Sequence, residues 1–322
     1  MRELKIGFVG FWDSFYREGY KKTLLWRILT KHYNVNISNN PDYLFCGLSG
    51  EKYGYIKYPQ IRILLSGENY IPDFNLIDYA ASVYPLSLQD RSFQLLSPCH
   101  DTYDSLVGVD KRLCNYNADT INKEKPLFAS LIASYDDDAN LRSFLADELS
   151  KYRRVECAGA FKNNMPNHLT VNRWDLSKFN FMKKCKFNIC IEHVKHQGFI
   201  TEKLNDAFYS QTIPIYYGDE SACNIYKKNC FIQIENKKDV KDIVEQIISL
   251  DKDPETYVKM INENPLKQKN YFEERFKEYE KWLLNIFEQP YKDAYRRPFS
   301  CQGASYEHYL KTLKGYMSEV GL

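Results

Sequence analysis

The first part of the chain alternates short apolar runs with amphipathic segments and turn residues. Apolar runs bounded by turn residues predict β-strands, and we place strands at Leu4–Gly10, Tyr43–Cys46 and Ile61–Leu65. The spacing of leucine and isoleucine over Lys22–His32 predicts an amphipathic helix. Strands that alternate with helices are typical of a parallel sheet covered on both faces.

A polar stretch over residues 111–125, closed by Pro126, predicts a linker. After it the alternation of apolar and amphipathic segments resumes, so we expect a second Rossmann-like unit. Its predicted strands are Leu127–Ser134, Val155–Ala158, Cys185–Glu192, Thr212–Gly218 and Phe231–Glu235. Its predicted helices are Asp136–Tyr152, Thr201–Ser210, Lys238–Leu250 and Lys269–Glu288.

Composition excludes several classes of protein. With 322 residues, 44% hydrophobic and 27% charged, the chain is a globular protein of two-domain length. The net charge is +2 and no basic stripe dominates, so we expect no nucleic-acid partner. Nine scattered cysteines without a Cys-x-x-Cys pair argue against a disulfide framework or a structural zinc site.

Two further features concern location and surface chemistry. The first ten residues carry charges where a signal peptide has its apolar core, and no run approaches the ~18 apolar residues of a membrane span, so we expect a cytoplasmic protein. Aromatic residues make up 15% of the chain. Tyrosine and tryptophan suit sugar and nucleotide surfaces, and they suit packed cores equally well.

The densest candidate site is the strand–loop–helix–strand unit that runs from Lys186 to Gly218. Thr201 is predicted to cap the helix, and Glu202 complements the positive end of the helix dipole. Lys203 falls in the same first turn, where free N–H groups already favour an anion, so the pattern predicts a diphosphate site that needs no metal. The alternative is a capped helix whose Glu202 and Lys203 are only solvated.

Two other motifs admit a functional and a structural interpretation. Asp136, Asp137 and Asp138 resemble a metal-binding Asp-x-Asp, but they precede a predicted helix and are expected to cap it. Lys162 and Asn163 follow a predicted strand end and are expected to line the nucleotide pocket.

Three ordered blocks, spanning about residues 61–220, together resemble glycosyltransferase family 10, the α1,3/4-fucosyltransferases, in their bacterial form. The first block is Ser66-Gly67-Glu68-Asn69, Pro72-Asp73-Phe74, Asp78-Tyr79-Ala80 and Asp90-Arg91. The second block is Phe128-Ala129-Ser130, Ala133-Ser134 and Leu141-Arg142. The third block is Phe187 to Glu192, Phe199 to Phe208 and Pro214 to Gly218.

The resemblance implies a GT-B fold, in which two Rossmann-like domains face each other across a cleft. It implies inverting transfer of L-fucose from GDP-β-L-fucose to the 3-OH of N-acetylglucosamine in a glycan with a terminal Gal-GlcNAc unit, without an essential metal or other cofactor. Glu68 matches the family's proposed general base, and Arg142 matches the arginine that binds the phosphates. Lys203 matches the lysine on the donor nucleotide, and Glu202 matches the glutamate beside the fucose.

Two departures from the family pattern fall in the third block. Where the family commonly has Asn after Glu192 and Tyr before the Thr-Glu-Lys segment, this chain has His193 and Phe199. The resemblance implies that Glu192, His193 and Phe199 lie in the donor site. Phe199 keeps a stacking face without a hydroxyl, and His193 makes donor affinity sensitive to pH.

On this basis residues 1–118 are expected to bind the acceptor and residues 119–290 to bind GDP-fucose. Three alternatives stay open: α1,4-transfer, transfer of another GDP-sugar on the same fold, and a glycan-binding protein without activity. Retention of Glu68, Arg142, Glu202 and Lys203 together argues against the last, because a binding module has no need of a base and a phosphate clamp.

The tail, residues 291–322, is predicted to be helical, because its apolar residues share one helical stripe. The stripe consists of Tyr306, Tyr309, Leu310, Leu313, Met317 and Val320. Such a helix either packs back on the protein, bridging the domains, or lies on an anionic membrane surface with the help of nearby basic residues. Glu307 and Glu319 dilute the positive face, which favours packing.

Overall fold

A computed structural model of the chain describes residues 1–50, 53–96, 103–166 and 176–319. Cys99 therefore lies outside the described residues. The chain divides into two compact units: residues 1–102 together with 275–322 form the first, and residues 103–274 form the second.

The strands belong to two sheets, six strands in the first unit and five in the second. In chain order they are β1 (Glu3–Val9), β2 (Asn34–Ile37), β3 (Tyr43–Cys46), β4 (Ile61–Ser66), β5 (Tyr79–Ser82), β6 (Ser92–Gln94), β7 (Leu127–Leu131), β8 (Val155–Cys157), β9 (Cys185–Ile191), β10 (Ile213–Tyr217) and β11 (Ile232–Gln233).

The α-helices connect these strands and follow them to the end of the described chain. They are α1 (Asp13–Tyr16), α2 (Leu24–His32), α3 (Tyr103–Asp110), α4 (Ile121–Glu124), α5 (Leu141–Ser150), α6 (Leu176–Met182), α7 (Lys203–Tyr209), α8 (Ala222–Ile225), α9 (Val240–Lys252), α10 (Pro254–Asn262), α11 (Tyr271–Glu288), α12 (Tyr291–Ala294) and α13 (Cys301–Glu319).

Both sheets are parallel and share one connectivity. The first has the order β2-β1-β3-β4-β5-β6, and the second has β8-β7-β9-β10-β11. In each, the first strand lies between the second and the third, so the chain winds first to one side and then to the other. This reversal creates a switch point between β1 and β3 and another between β7 and β9, where ligands of such sheets bind beyond the carboxyl ends of the strands.

Burial explains why the central strands read as continuous apolar runs. All seven residues of β9 are buried, since helices cover both faces of a parallel sheet. The polar residues in this strand are paired: Asn188 accepts a hydrogen bond from Ser130 at 2.7 Å, and Lys186 forms an ion pair with Asp251 at 2.7 Å. The two polar residues of this otherwise apolar strand therefore each have a buried polar partner within the second unit.

The predicted strands are confirmed, although several predicted ends are too long. The strand expected to reach Ser134 ends at Leu131, and the helix expected from Asp136 begins at Leu141. Strands β2, β5 and β6 were not predicted, because they are short and only β5 is fully buried.

The unit boundaries differ from the predicted ones. Residues 103–118 belong to the second unit, where the Arg112 guanidinium donates to the carbonyls of Ile261 and Glu263 at 2.6 and 2.9 Å. Residues 275–290 belong to the first unit, in which Trp282 stacks on Tyr279 at 5.7 Å. The boundary was predicted from the local polarity of the sequence, and local polarity does not show which distant residues a segment contacts.

The predicted helical tail is present as α13, and it packs on the first unit. Glu307 pairs with Arg62 of β4 at 2.9 Å, and Leu310 packs against the cluster that contains Leu64 and Ile77. Among the described members of the stripe, Leu310 makes this packing contact, whereas three others are exposed. These are Tyr306, Tyr309 and Leu313, with exposed fractions of 39%, 62% and 38%. The side chain of Met317 and all of Val320 lie outside what the structure describes.

Within the described ranges, every helix is too short or too polar to span a bilayer.

Candidate active site

Glu68 lies two residues beyond the carboxyl end of β4 in the first unit. Its side chain is exposed, and its backbone is held by two contacts. The Glu68 N–H donates to Ser66 Oγ at 3.2 Å, and the Glu68 carbonyl accepts from the N–H of Tyr70 at 2.7 Å. The structure thus presents a solvent-accessible carboxylate on an ordered turn, as a group that takes a proton from a bound hydroxyl requires.

In the second unit, the carboxylate of Glu192 organises the carboxyl end of β9. Its side chain is fully buried and accepts from the Thr201 N–H at 2.9 Å and from the Thr201 hydroxyl at 2.8 and 2.9 Å. Lys203 Nζ lies 2.7 Å from the second carboxylate oxygen. The predicted role of Thr201 as helix cap is wrong, because α7 begins at Lys203 after Glu202 and the Thr201 hydroxyl oxygen accepts from Lys203 Nζ at 2.8 Å, not from a backbone N–H of the helix.

Lys203 opens α7, and Glu202 is the residue immediately before the helix. Burial disfavours the charged form of Lys203, but the carboxylates of Glu192 and Glu202 outweigh burial and raise its pKa. The amine therefore stays protonated at neutral pH, with 28% of the side chain exposed. A cation beside the first turn of a helix is a suitable partner for a phosphate.

Arg142 brings a second positive charge to the same strand end. Its guanidinium is buried and donates to the carbonyl of Ile191 at 2.7 Å and to that of Tyr135 at 2.8 Å. It lies close enough to Lys203 to oppose protonation of that amine electrostatically. A guanidinium has five N–H donors, so this one is oriented by the backbone and keeps further donors for an anion.

The acidic run before α5 caps that helix. Asp137 accepts from the Arg142 N–H at 2.8 Å, and Asp136 accepts from the Ser143 N–H at 3.2 Å. The predicted capping role is confirmed for these two residues. Among the described residues, no group of three His, Cys, Asp or Glu side chains is placed to hold a metal ion.

The two residues that depart from the family pattern differ in their surroundings. His193 contacts the Tyr135 ring edge to face at 5.3 Å, and its Nε2 lies 3.4 Å from Asp138. Its Nδ1 is buried without a hydrogen-bond partner among the described residues. Phe199 is buried, with an exposed fraction of 3%, so it contributes to the core beneath the loop.

Lys162 and Asn163 follow β8 and are engaged locally. Lys162 pairs with Asp147 of α5 at 2.6 Å, and Asn163 donates to the carbonyl of Gly159 at 2.8 Å. Their role toward a nucleotide stays a prediction.

Two groups near the site lie in the third block, but the sequence analysis assigns them no individual role. Asp206, one turn beyond Lys203, pairs with Lys178 of α6 at 2.5 Å, and burial raises its pKa to about 6 although Lys178 opposes the rise. The other is Gly218, which lies against Tyr216 and Glu192. An aspartate inside the predicted helix Thr201–Ser210 is the signal that the sequence alone offered.

Replacing Gly218 by alanine is expected to destabilise the second unit by about 1–3 kcal/mol, the usual cost of overpacking a filled core. The added Cβ would lie 2.2 Å from Tyr216 Oη and 2.9 Å from Glu192 Cγ, and both neighbours are buried. Urea unfolding measures the change. Gly315→Ala is the control, since its Cβ would meet nothing within 4 Å and alanine favours the helix. Equal stability of the two variants would contradict the packing described here.

Comparison with protein families identifies both units. A profile described as the N-terminal domain of alpha-(1,3)-fucosyltransferase FucT matches residues 6–103. A second, described as the C-terminal part of glycosyltransferase family 10 (fucosyltransferase), matches residues 122–283, about half of the chain.

Two curated proteins are similar in sequence. An alpha-(1,3)-fucosyltransferase FucT of Helicobacter pylori is 28% identical over 295 residues, which cover 82% of this chain and 60% of that protein. A putative fucosyltransferase of Acanthamoeba polyphaga mimivirus is 30% identical over 121 residues, which cover 36% of this chain and 20% of that protein. The chain thus spans less than two thirds of the length of either relative.

Solved structures give the fold. A crystal structure of an alpha1,3-fucosyltransferase with GDP-fucose has a TM-score of 0.67 and 25% identity, covering 90% of this chain and 92% of that one. A DNA-modifying beta-glucosyltransferase has a TM-score of 0.55 at 11% identity, which shows likeness of fold alone. With the two parallel sheets, these similarities confirm the predicted GT-B fold class.

Proposed function

Because the chain belongs to glycosyltransferase family 10, we propose that it transfers L-fucose from GDP-β-L-fucose to an acceptor glycan with inversion at the transferred carbon. The observation that carries the proposal is the arrangement at the carboxyl ends of β7 and β9, where Arg142 and Lys203 lie beside a switch point. Nucleotide ligands of doubly wound sheets bind at such positions. The solved relative in complex with GDP-fucose supports the same donor.

On the donor side, Lys203 and Arg142 bind the diphosphate of GDP-fucose. The charge on the diphosphate grows as the bond to fucose breaks, so fixed cations stabilise the transition state more than the ground state. Glu192 orients Lys203, and Glu202 lies at the start of the same helix, beside the fucose. His193, Lys162 and Asn163 are the further residues proposed for the donor site, whereas Phe199, expected there from the resemblance, is buried in the core.

We propose that these cations make a metal unnecessary. Two of the three aspartates that could have offered a metal site are engaged by backbone N–H groups of α5. Charge neutralisation then falls to Lys203 and Arg142, whose guanidinium fork suits two phosphate oxygens.

On the acceptor side, the proposed hydroxyl is the 3-OH of N-acetylglucosamine in a glycan with a terminal Gal-GlcNAc unit. The name of the Helicobacter pylori relative, alpha-(1,3)-fucosyltransferase, supports this linkage. Glu68 takes the proton of that hydroxyl as the hydroxyl oxygen attacks the fucose carbon and GDP departs. Peripheral membrane contact through the exposed stripe of α13 and a cytoplasmic location belong to the same proposal and stay predictions.

The test is a GDP-release assay with N-acetyllactosamine, with lacto-N-biose and without acceptor, followed by NMR analysis of the product linkage. We expect release with N-acetyllactosamine, an α1,3 linkage, and full activity in EDTA. An α1,4 linkage, or transfer from a different GDP-sugar only, would replace the proposed specificity while keeping the class of enzyme. Binding of glycan without GDP release would support a glycan-binding protein. Loss of activity in EDTA, restored by manganese, would return a metal to the mechanism.

A further inference from the structure

The loop that carries Glu68 is tied to the C-terminal helix. The hydroxyl of Tyr306, in the second turn of α13, donates to Asp73 Oδ2 at 3.0 Å. Asp73 lies five residues beyond Glu68 in the connection between β4 and β5. A helix from the end of the chain thus contacts the segment in which the proposed base lies.

Asp73 fixes the second half of this loop by hydrogen bonds to the residues that follow it. Its other carboxylate oxygen accepts from the N–H of Asn75 at 2.9 Å. Its backbone carbonyl accepts from Leu76 and Ile77 at 2.9 and 3.1 Å. One oxygen of the Asp73 carboxylate is bonded within its own turn, and the other is bonded to Tyr306 of α13. The position of α13 therefore affects the conformation of the loop.

The helix that supplies Tyr306 is itself fixed to the strand that precedes Glu68. Glu307, the next residue of α13, pairs with Arg62 of β4 at 2.9 Å, and the Arg62 side chain is fully buried. Arg62 also donates to the carbonyl of Leu76 at 2.7 Å, near the end of the same connection. One turn of α13 therefore holds both the strand before Glu68 and the loop after it.

We propose that Tyr306 is a positioning residue for the general base: through Asp73 it sets the loop that presents Glu68. This inference rests on the proposed role of Glu68. A general base acts only when its oxygen is within hydrogen-bond distance of the proton, and misplacement by about 1 Å can cost about 100-fold in rate. The hydrogen bond is exposed to solvent, so its loss loosens the loop without unfolding the unit.

The test is Tyr306→Phe, which removes only the hydroxyl. We expect kcat to fall about three- to tenfold at saturating substrates, since a hydrogen bond of this kind is worth that much. KM for GDP-fucose is expected to stay unchanged, because the donor residues lie in the second unit, and the melting temperature is expected to stay within ~2 °C. Tyr309→Phe is the matched control, because Tyr309 is a more exposed tyrosine on the same helix, and it is expected to retain wild-type kcat.

A mutant cycle separates positioning from general support of the fold. In a Glu68→Gln background, Tyr306→Phe is expected to lower the residual rate no further, since there is no base to position. An equal loss in both backgrounds, or unchanged kcat in the Tyr306→Phe variant alone, overturns the proposal while leaving the proposed function intact. Wild-type turnover in Glu68→Gln overturns the proposed role of Glu68 and this inference with it, because it removes the base through which Tyr306 acts, while the transferase activity itself stands.

Discussion

Glu68→Gln is expected to lower turnover by about 100-fold or more, the usual contribution of general-base catalysis. The amide keeps the size of the side chain and loses the ability to accept a proton at neutral pH. Because Glu68 is exposed, the fold is expected to stay intact. Binding of GDP-fucose is expected to stay intact too, because the proposed donor residues belong to the other unit.

The measurement combines kcat from GDP release with the Kd for GDP-fucose from calorimetry. Glu288→Gln is a matched control, an exposed glutamate at the end of α11 in the same unit. Turnover of the Glu68 variant within a few-fold of wild type would remove this residue from the mechanism.

Lys203→Met is expected to have two large effects. It leaves the fully buried carboxylate of Glu192 without its cation, which should cost about 3 kcal/mol of unfolding free energy, the lower end for a broken buried pair because Lys203 is partly exposed. It also removes a charged donor from the diphosphate, which should weaken GDP binding by about tenfold or more. Urea unfolding and calorimetry with GDP measure the two effects separately.

A second substitution separates the two roles of Lys203. In the double variant Lys203→Met/Glu192→Gln, no buried charge is left unpaired and the amide oxygen can still accept from Thr201, so stability should largely return while GDP affinity stays low. Lys228→Met is the control, because its pair with Glu235 is exposed and surface pairs contribute about 0–1 kcal/mol. GDP affinity that recovers together with stability would mean that Lys203 supports the fold without touching the nucleotide.

The sequence predicts the fold and the position of the site at the strand ends, because both follow from the spacing of apolar residues within each strand and helix. The apolar run of β9, the glycine loop and the helix after it are contiguous, so Glu192 and Lys203 are expected at one end of a parallel sheet. The role of Thr201 could not be predicted in the same way. Its hydroxyl bonds the Glu192 carboxylate, and a sequence does not show that a glutamate nine positions earlier is buried and needs donors.

The composition of the first unit was missed for a similar reason. Arg62 lies in the middle of an apolar strand, and a buried arginine requires an acidic partner. Its partner Glu307 is 245 positions away, and the Arg297 nearby pairs with Asp78. Periodicity reports which face of an element is buried, whereas such long-range ion pairs decide which elements share a core. An arginine inside a predicted strand was the available signal.

The division of the first unit has a consequence for synthesis on the ribosome. The second unit is continuous in sequence, whereas the first needs residues from both ends of the chain. At about 5–20 residues per second, residues 275–322 need several seconds after the second unit has been made. During that interval Arg62 and Asp78 lack their partners Glu307 and Arg297, so the β4–β5 region is incomplete when the second unit has already been synthesised. A nascent chain stalled before α13 is thus expected to bind chaperones through residues of its N-terminal part, residues 1–102.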